Sequence, residues 1–219
     1  MSIDAAVFDV DGTIATCPYD FDAMRAAVAD VAARYGLDTK SLGVHGVIEQ
    51  ITTASEMLRE VGAEFAQAAD AAVRAVEVAA APSAEVLPQA SEALAAFRQN
   101  GIRIALITRN CRAAAEIVLR SLDAYDVLLT RDDVPLTKPN PDHVLRAIHS
   151  LGSTPDRTIV VGDHDYDIKA GRAARVRFCI GVLTGGNSAD QLTKVGADAI
   201  IDSVGDLPAW LRERGAMDS

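Results

Sequence analysis

Two textures of hydrophobic and polar positions divide the chain. From Ala5 to Val10 the residues are apolar except for Asp9, and Asp11-Gly12-Thr13 then supplies turn chemistry, which predicts a short strand stopping at Asp9. Beyond it Phe21, Met24, Val28, Val31 and Tyr35 recur at steps of three and four before Gly36, the stripe of an amphipathic helix closed by glycine. Helical spacing resumes over Leu42 to Val61 and Ala63 to Ala80, and Pro82 breaks it. From Pro88 the texture changes to a helix reaching Asn100, a β-rich run from Ile102 to Ile107 and a helix from Asn110 to Leu122. Further strands are predicted at Val127–Leu129, Thr158–Val161, Arg177–Val182 and Ala199–Ile201, with helix-like stretches between them, and the chain after Arg214 is expected to fray.

Short, continuously apolar strands alternating with helices predict an α/β fold, a Rossmann-like parallel sheet with helices on both faces. The expected core is residues 1–14 with 83–219, and residues 15–82 form an inserted helical block. Right-handed crossovers bring the carboxyl ends of the strands to one edge, where open sheets of this kind bind ligands.

Composition narrows the partners. A formal charge of −10 disfavours a general nucleic-acid or anionic-membrane binder, which needs a basic surface. No apolar run approaches the ~20 residues of a membrane span, and no basic-then-apolar signal segment opens the chain, so a cytoplasmic location is the expectation. Cys17, Cys111 and Cys179 lie far apart without paired spacing, which predicts neither a disulfide framework nor a zinc knuckle.

The residues at the strand ends carry chemistry. Asp9 and Asp11, one residue apart, repel each other unless a cation or proton intervenes, and magnesium, which favours hard oxygen ligands and substrate phosphates, is the natural remedy. In Gly162-Asp163-His164-Asp165-Tyr166-Asp167, Asp163 is the best further ligand candidate, and Asp167 is placed to support the site by holding ligand waters or orienting Lys138. Thr108 offers a hydroxyl after Ile107, and with Arg109 and Asn110 it opens a helix whose N–H groups suit phosphate oxygens. Lys138 stands in a loop stiffened by Pro139 and Pro141. Taken singly, each has a plain reading as a cap, acidic turn or surface cation; their order along successive strand ends is what gives them weight. Gly185-Gly186 reads as a simple turn, and no dinucleotide fingerprint, P-loop, Gly-x-Ser-x-Gly or His-Glu-x-x-His is present.

Phe8-Asp9-Val10-Asp11-Gly12-Thr13, then Thr108, then Lys138-Pro139, then Gly162-Asp163 to Asp167 resemble the four ordered motifs of the haloacid dehalogenase-like phosphatases. The resemblance implies that Asp9 attacks phosphorus, that Asp11 protonates the leaving oxygen and later activates water, and that Thr108 and Lys138 hold phosphoryl oxygens. It implies Mg2+ bound by the Asp9 side chain, the Asp11 backbone carbonyl and Asp163. The helical block resembles the small cap of the phosphoglycolate phosphatase-like branch, which implies that substrate choice resides there. Arg25, Arg34, Lys40, His45 and Arg59 are its cationic or titratable candidates, and Cys17 to Phe21 is a candidate hinge and site wall.

The expected activity is hydrolysis of a small phosphorylated metabolite, phosphoglycolate or a sugar phosphate, through an aspartyl-phosphate. A phosphomutase of the same branch, returning the phosphoryl group to a sugar, uses the same four motifs. A phosphoryl-receiver signalling module shares the residue types, but its acidic pair precedes a separate phosphorylated aspartate, and such modules are far shorter than this chain.

Overall fold

The computed structural model describes residues 2–218. The elements run β1 (Ala5–Asp9), β2 (Ala15–Thr16), then three helices α1 (Phe21–Ala33), α2 (Val47–Leu58) and α3 (Gly62–Ala80). Next come β3 (Glu85–Val86), α4 (Pro88–Gln99), β4 (Arg103–Ile107), α5 (Arg112–Val118), β5 (Val127–Leu129) and α6 (Pro141–Ser150). The chain ends with β6 (Thr158–Gly162), α7 (Asp165–Ala173), β7 (Phe178–Val182), α8 (Ala189–Lys194), β8 (Ala199–Ile201) and α9 (Leu207–Glu213).

Two compact units result, one from residues up to Cys17 with those from Ala84 onward, the other Pro18–Ser83. The first holds a six-stranded sheet in the order β5-β4-β1-β6-β7-β8, with every pairing parallel. The fold is the α/β type that the alternation predicts. β1 lies between β4 and β6, so both its edges are paired and its residues Ala5 to Phe8 are wholly buried. That environment accepts a continuously apolar strand.

Side chains alternate between the faces of a strand, and the two faces of β1 meet different helices. Ala5 and Val7 join Val144, Ala147 and Ile148 of α6 and Ile168 of α7 in one cluster. On the other face Phe8 meets Phe97 of α4 edge to face, ring centroids 5.5 Å apart. Burying two such rings stabilises the strand by ~2–3 kcal/mol each. Asp9 shares the parity of Ala5 and Val7, so its carboxylate is turned toward the α6 and α7 side.

The helical unit has a core of its own. Met24, Val28 and Val31 of α1, Val47 and Ile51 of α2, and Phe65, Ala69 and Val73 of α3 are buried together. Their three- and four-residue spacing is the amphipathic stripe on which the helices were predicted.

Several boundaries differ from the sequence expectation. The stretch expected to be helical from Leu42 becomes a 3₁₀ turn, Thr39–Leu42, closed by Gly43 at φ +67°, and α2 starts only at Val47. A left-handed residue ends a helix, and glycine adopts that conformation at little cost. α5 is shorter than the expected Asn110–Leu122, because Cys111 is extended as its N-cap. β2 and β3 form a two-residue antiparallel pair, too short to show a period, which ties residues 15 and 16 to the sheet unit. Among the described residues the fraying expected after Arg214 is not observed: Ala216 and Met217 are buried, and the Ile3 N–H donates to the Ala216 carbonyl at 3.1 Å, while Ser219 lies outside the described residues. Among the described residues no helix is long and apolar enough to cross a membrane.

Candidate active site

Strand register brings the candidate residues to one edge. Asp9 pairs with Ile107, and Phe8 pairs with Val161, so Thr108 and Asp163 each lie just past the end of a strand adjoining β1. β1 is also where the strand order reverses, with β4 on one side and β6 on the other. Such a switch point opens a crevice at the carboxyl ends of the strands.

Asp9, Lys138 and Asp167 form a buried cluster. Lys138 Nζ donates to Asp9 Oδ1 and to Asp167 Oδ1, both at 2.5 Å, and the lysine side chain is only 3% exposed. Burial by itself lowers the Lys138 pKa, but Asp167 and Asp9 together more than offset this and raise it, so the ammonium stays charged. Burial raises Asp9 to about 6, against the opposing pull of Lys138, and raises Asp167 to about 6 in the same way. Asp167 accepts the His164 N–H through Oδ2 at 3.0 Å, in a capping box with His164 at the start of α7. His164 thus serves as a helix cap, its Nδ1 accepting the Tyr166 N–H at 3.3 Å.

Asp11 faces a different set of partners. Its Oδ2 accepts from Thr108 Oγ1 at 3.1 Å and from Asn110 Nδ2 at 2.6 Å, while Oδ1 is buried with no hydrogen-bond partner. Burial, then the neighbouring Asp9 charge, raises Asp11 to about 8, which keeps it protonated at neutral pH. The Asn110 N–H donates to Thr108 Oγ1 at 3.1 Å, which explains why the helix begins after, not at, Asn110.

Asp163 is held by groups to which the sequence reading gave no role of their own in the site. Thr13 Oγ1 donates to Oδ1 at 3.2 Å, and the Gly186 N–H donates to Oδ2 at 2.7 Å. Burial and then Asp167 raise its pKa. The Gly185-Gly186 turn is therefore part of the site and not a simple turn: a Cβ on Gly185 would lie 2.0 Å from Asp163 Oδ2, and one on Gly12 would lie 2.6 Å from it. Thr184 Oγ1 donates to the Gly12 carbonyl at 2.5 Å, joining this turn to the loop after β1. The paired glycines were the only sequence signal for these contacts.

Asp9, Asp163 and Asp167 each present a carboxylate oxygen within 4.8 Å of the others. Three hard oxygen donors without a thiolate or imidazole among them fit magnesium. Burial is the main cause that raises the pKa of all three carboxyls, and a cation among them would favour their charged forms. Asp167, read from the sequence as supporting, belongs to this cluster, whereas the Asp11 carboxylate does not and is turned to Thr108 and Asn110.

The family model described as haloacid dehalogenase-like hydrolase matches residues 3–175. A phosphoglycolate phosphatase of Cupriavidus necator is 30% identical over 222 residues, covering 94% of this chain and 92% of its own. One from Salmonella paratyphi A is 27% identical over 236 residues, covering 94% and 91%. The fold is also that of a hydrolase from Pseudomonas syringae, with a TM-score of 0.69, 24% identity and coverage of 96% and 98%. The chain belongs to the haloacid dehalogenase-like hydrolase family, in its phosphoglycolate phosphatase-like branch, and is an enzyme of the phosphatase class.

Proposed function

We propose that the protein hydrolyses a small phosphomonoester, of the phosphoglycolate or sugar phosphate type, with magnesium and through a phosphoryl group carried on Asp9. The observation that supports this most is the pairing of unlike carboxyls one residue apart: Asp9, beside the Lys138 ammonium, and Asp11, held near 8 and so protonated. Two carboxyls whose environments push them apart are suited to nucleophile and acid. Similarity to phosphoglycolate phosphatases over most of the chain supports the substrate type.

In the first step an Asp9 carboxylate oxygen bonds to phosphorus as the ester P–O bond breaks, and Asp11 gives its proton to the leaving oxygen. In the second, Asp11, now a carboxylate, takes a proton from water as that water's oxygen bonds to phosphorus. The Asp9–phosphorus bond breaks, phosphate leaves, and both carboxyls return to their starting forms. Thr108, Lys138, and Arg109 and Asn110 at the opening of α5 bind the phosphoryl oxygens, since such transfers depend chiefly on alignment and charge neutralisation. Asp9, Asp163 and Asp167, with the Asp11 backbone carbonyl that the family resemblance implies, would hold magnesium, which supplies positive charge for the phosphoryl oxygens.

The test is a magnesium-dependent assay of the parent chain, Asp9→Asn and Asp11→Asn on 4-nitrophenyl phosphate and a panel of phosphorylated metabolites. Asp9→Asn is expected to be inactive on all of them. Asp11→Asn is expected to lose ~10²–10⁴-fold in kcat, with the smaller loss on the aryl ester, whose leaving group needs less protonation. Full activity in Asp9→Asn overturns the mechanism. Isomerisation of a sugar phosphate without stoichiometric release of inorganic phosphate replaces hydrolysis by mutase chemistry.

A further inference from the structure

β1 and β7 are not neighbours in the sheet, since β6 runs between them. The chain leaving β7 nonetheless reaches the loop after β1. Leu183 is still tied to β8, its N–H donating to the Ile201 carbonyl at 3.2 Å. The next residue turns the other way: Thr184 Oγ1 donates to the Gly12 carbonyl at 2.5 Å. Gly186 and Asn187 then meet the residue after β6, the Gly186 N–H donating to Asp163 Oδ2 at 2.7 Å and the Asn187 N–H to the Asp163 carbonyl at 3.2 Å. From the β1 side Thr13 Oγ1 reaches Asp163 Oδ1 at 3.2 Å.

Three strand ends are thereby joined in one closed circuit: Gly12 and Thr13 after β1, Asp163 after β6, and Thr184 to Asn187 after β7. The circuit is tight, for Gly12 stands at φ +86° and a Cβ on it would lie 3.0 Å from the Gly185 Cα. The bonds from Thr13, Gly186 and Asn187 all end on Asp163. Thr184 differs from them, because its hydroxyl binds the β1 loop directly and closes the circuit without passing through Asp163.

That placement matters for a cation. Asp9 ends β1 and Asp163 follows β6, and their like charges repel each other, so repulsion favours spreading the two strand ends apart when no ion lies between them. Lys138 restrains Asp9 and Asp167, and the circuit restrains Asp163. A hydroxyl bonded to a carbonyl adds this restraint without adding charge to the cluster. Magnesium tolerates little departure from its preferred geometry, and ligands ordered before it binds cost less to order when it does.

We propose that Thr184 is a positioning residue for the metal site: its hydroxyl clamps the loop after β1 to the turn that carries Asp163, and so sets the affinity for magnesium. The inference rests on the magnesium-dependent reading above.

The experiment measures metal binding with no substrate present. Metal-stripped parent, Thr184→Val, Thr184→Ala and Thr184→Ser are titrated with Mn2+, whose free fraction is read by electron paramagnetic resonance, and Mg2+ is then added as competitor. Thermal midpoints are recorded with and without Mg2+. Thr184→Val keeps the branched shape and loses the donor, and its Mg2+ Kd is expected to rise about tenfold, with a smaller rise in midpoint on adding the ion. Thr184→Ala behaves alike and carries the comparison should Thr184→Val fold poorly. Thr184→Ser retains the hydroxyl and stays within about twofold of the parent. A lower metal-free midpoint with an unchanged Mg2+ Kd in both Thr184→Val and Thr184→Ala makes the bond a purely structural one and overturns the proposal, as does a Thr184→Ser protein that binds as weakly as Thr184→Val. A parent that binds neither ion removes magnesium from the reading above and this inference with it. Absence of phosphatase activity in a parent that binds magnesium counts against the phosphatase reading alone.

Discussion

Lys138 Nζ lies 2.5 Å from Asp9 Oδ1, in a position where the two side chains are only 3% and 10% exposed. The same ammonium bonds Asp167, so a single positive charge keeps two buried carboxylates from confronting each other. Removing one partner of a buried pair leaves uncompensated charge, at a typical cost of ~3–5 kcal/mol. Lys138→Met is accordingly expected to lower the unfolding free energy measured in urea by an amount in that range, with a lower midpoint, and to abolish turnover. A midpoint equal to that of the parent would show that the cluster is not the electrostatic unit described.

Gly185 tests the support of Asp163. A methyl group there would meet Asp163 Oδ2 at 2.0 Å, far inside contact distance, so the carboxylate must move. Losing the outer support of a metal-binding group typically weakens metal affinity 10–100-fold. Gly185→Ala is expected to raise the magnesium concentration for half-maximal activity at least about tenfold, with kcat at saturating magnesium within about threefold. An unchanged magnesium requirement contradicts Asp163 as a ligand.

Much of this was legible in the sequence because it is local. An apolar run stopped by Asp11-Gly12 announces β1, and Thr108 and Asp163 follow equally plain strands. Register then brings those ends together, as parallel pairing requires. Contacts between distant segments were not legible: Thr13 and Asp163 are 150 residues apart, and nothing in either segment specifies which oxygen receives the hydroxyl. Asp167 was read as a supporting residue, and its oxygen lies with those of Asp9 and Asp163, a proximity set by the first turn of α7 and not by any local pattern. Helix limits failed where a left-handed glycine or an extended residue overrode the hydrophobic period, at Gly43 and Cys111.

His143 provides a pH test away from the reacting groups. It is fully buried on α6, with its Nε2 3.1 Å from the Leu129 carbonyl, and burial, helped by Lys138, depresses it from 6.5 to about 4. A base depressed by folding favours the folded state above its unfolded pKa, and this contribution is lost as the pH falls from 6.5 toward 4. The effect is on the order of 2–3 kcal/mol over that window. His143→Gln removes the titration, so the stability difference between parent and variant is expected to shift by about that amount in favour of the variant between pH 7 and pH 4.5. Parallel stability curves would contradict a buried neutral His143.

Covalent capture of the phosphoryl group is the most direct test of Asp9. An aspartyl-phosphate trapped by acid quench during turnover and reduced with borohydride becomes homoserine, which mass spectrometry locates in the sequence. The account predicts homoserine at position 9 in the parent protein and none without substrate. Steady release of phosphate with Asp9 unmodified, or with the modification at another carboxyl, would contradict it.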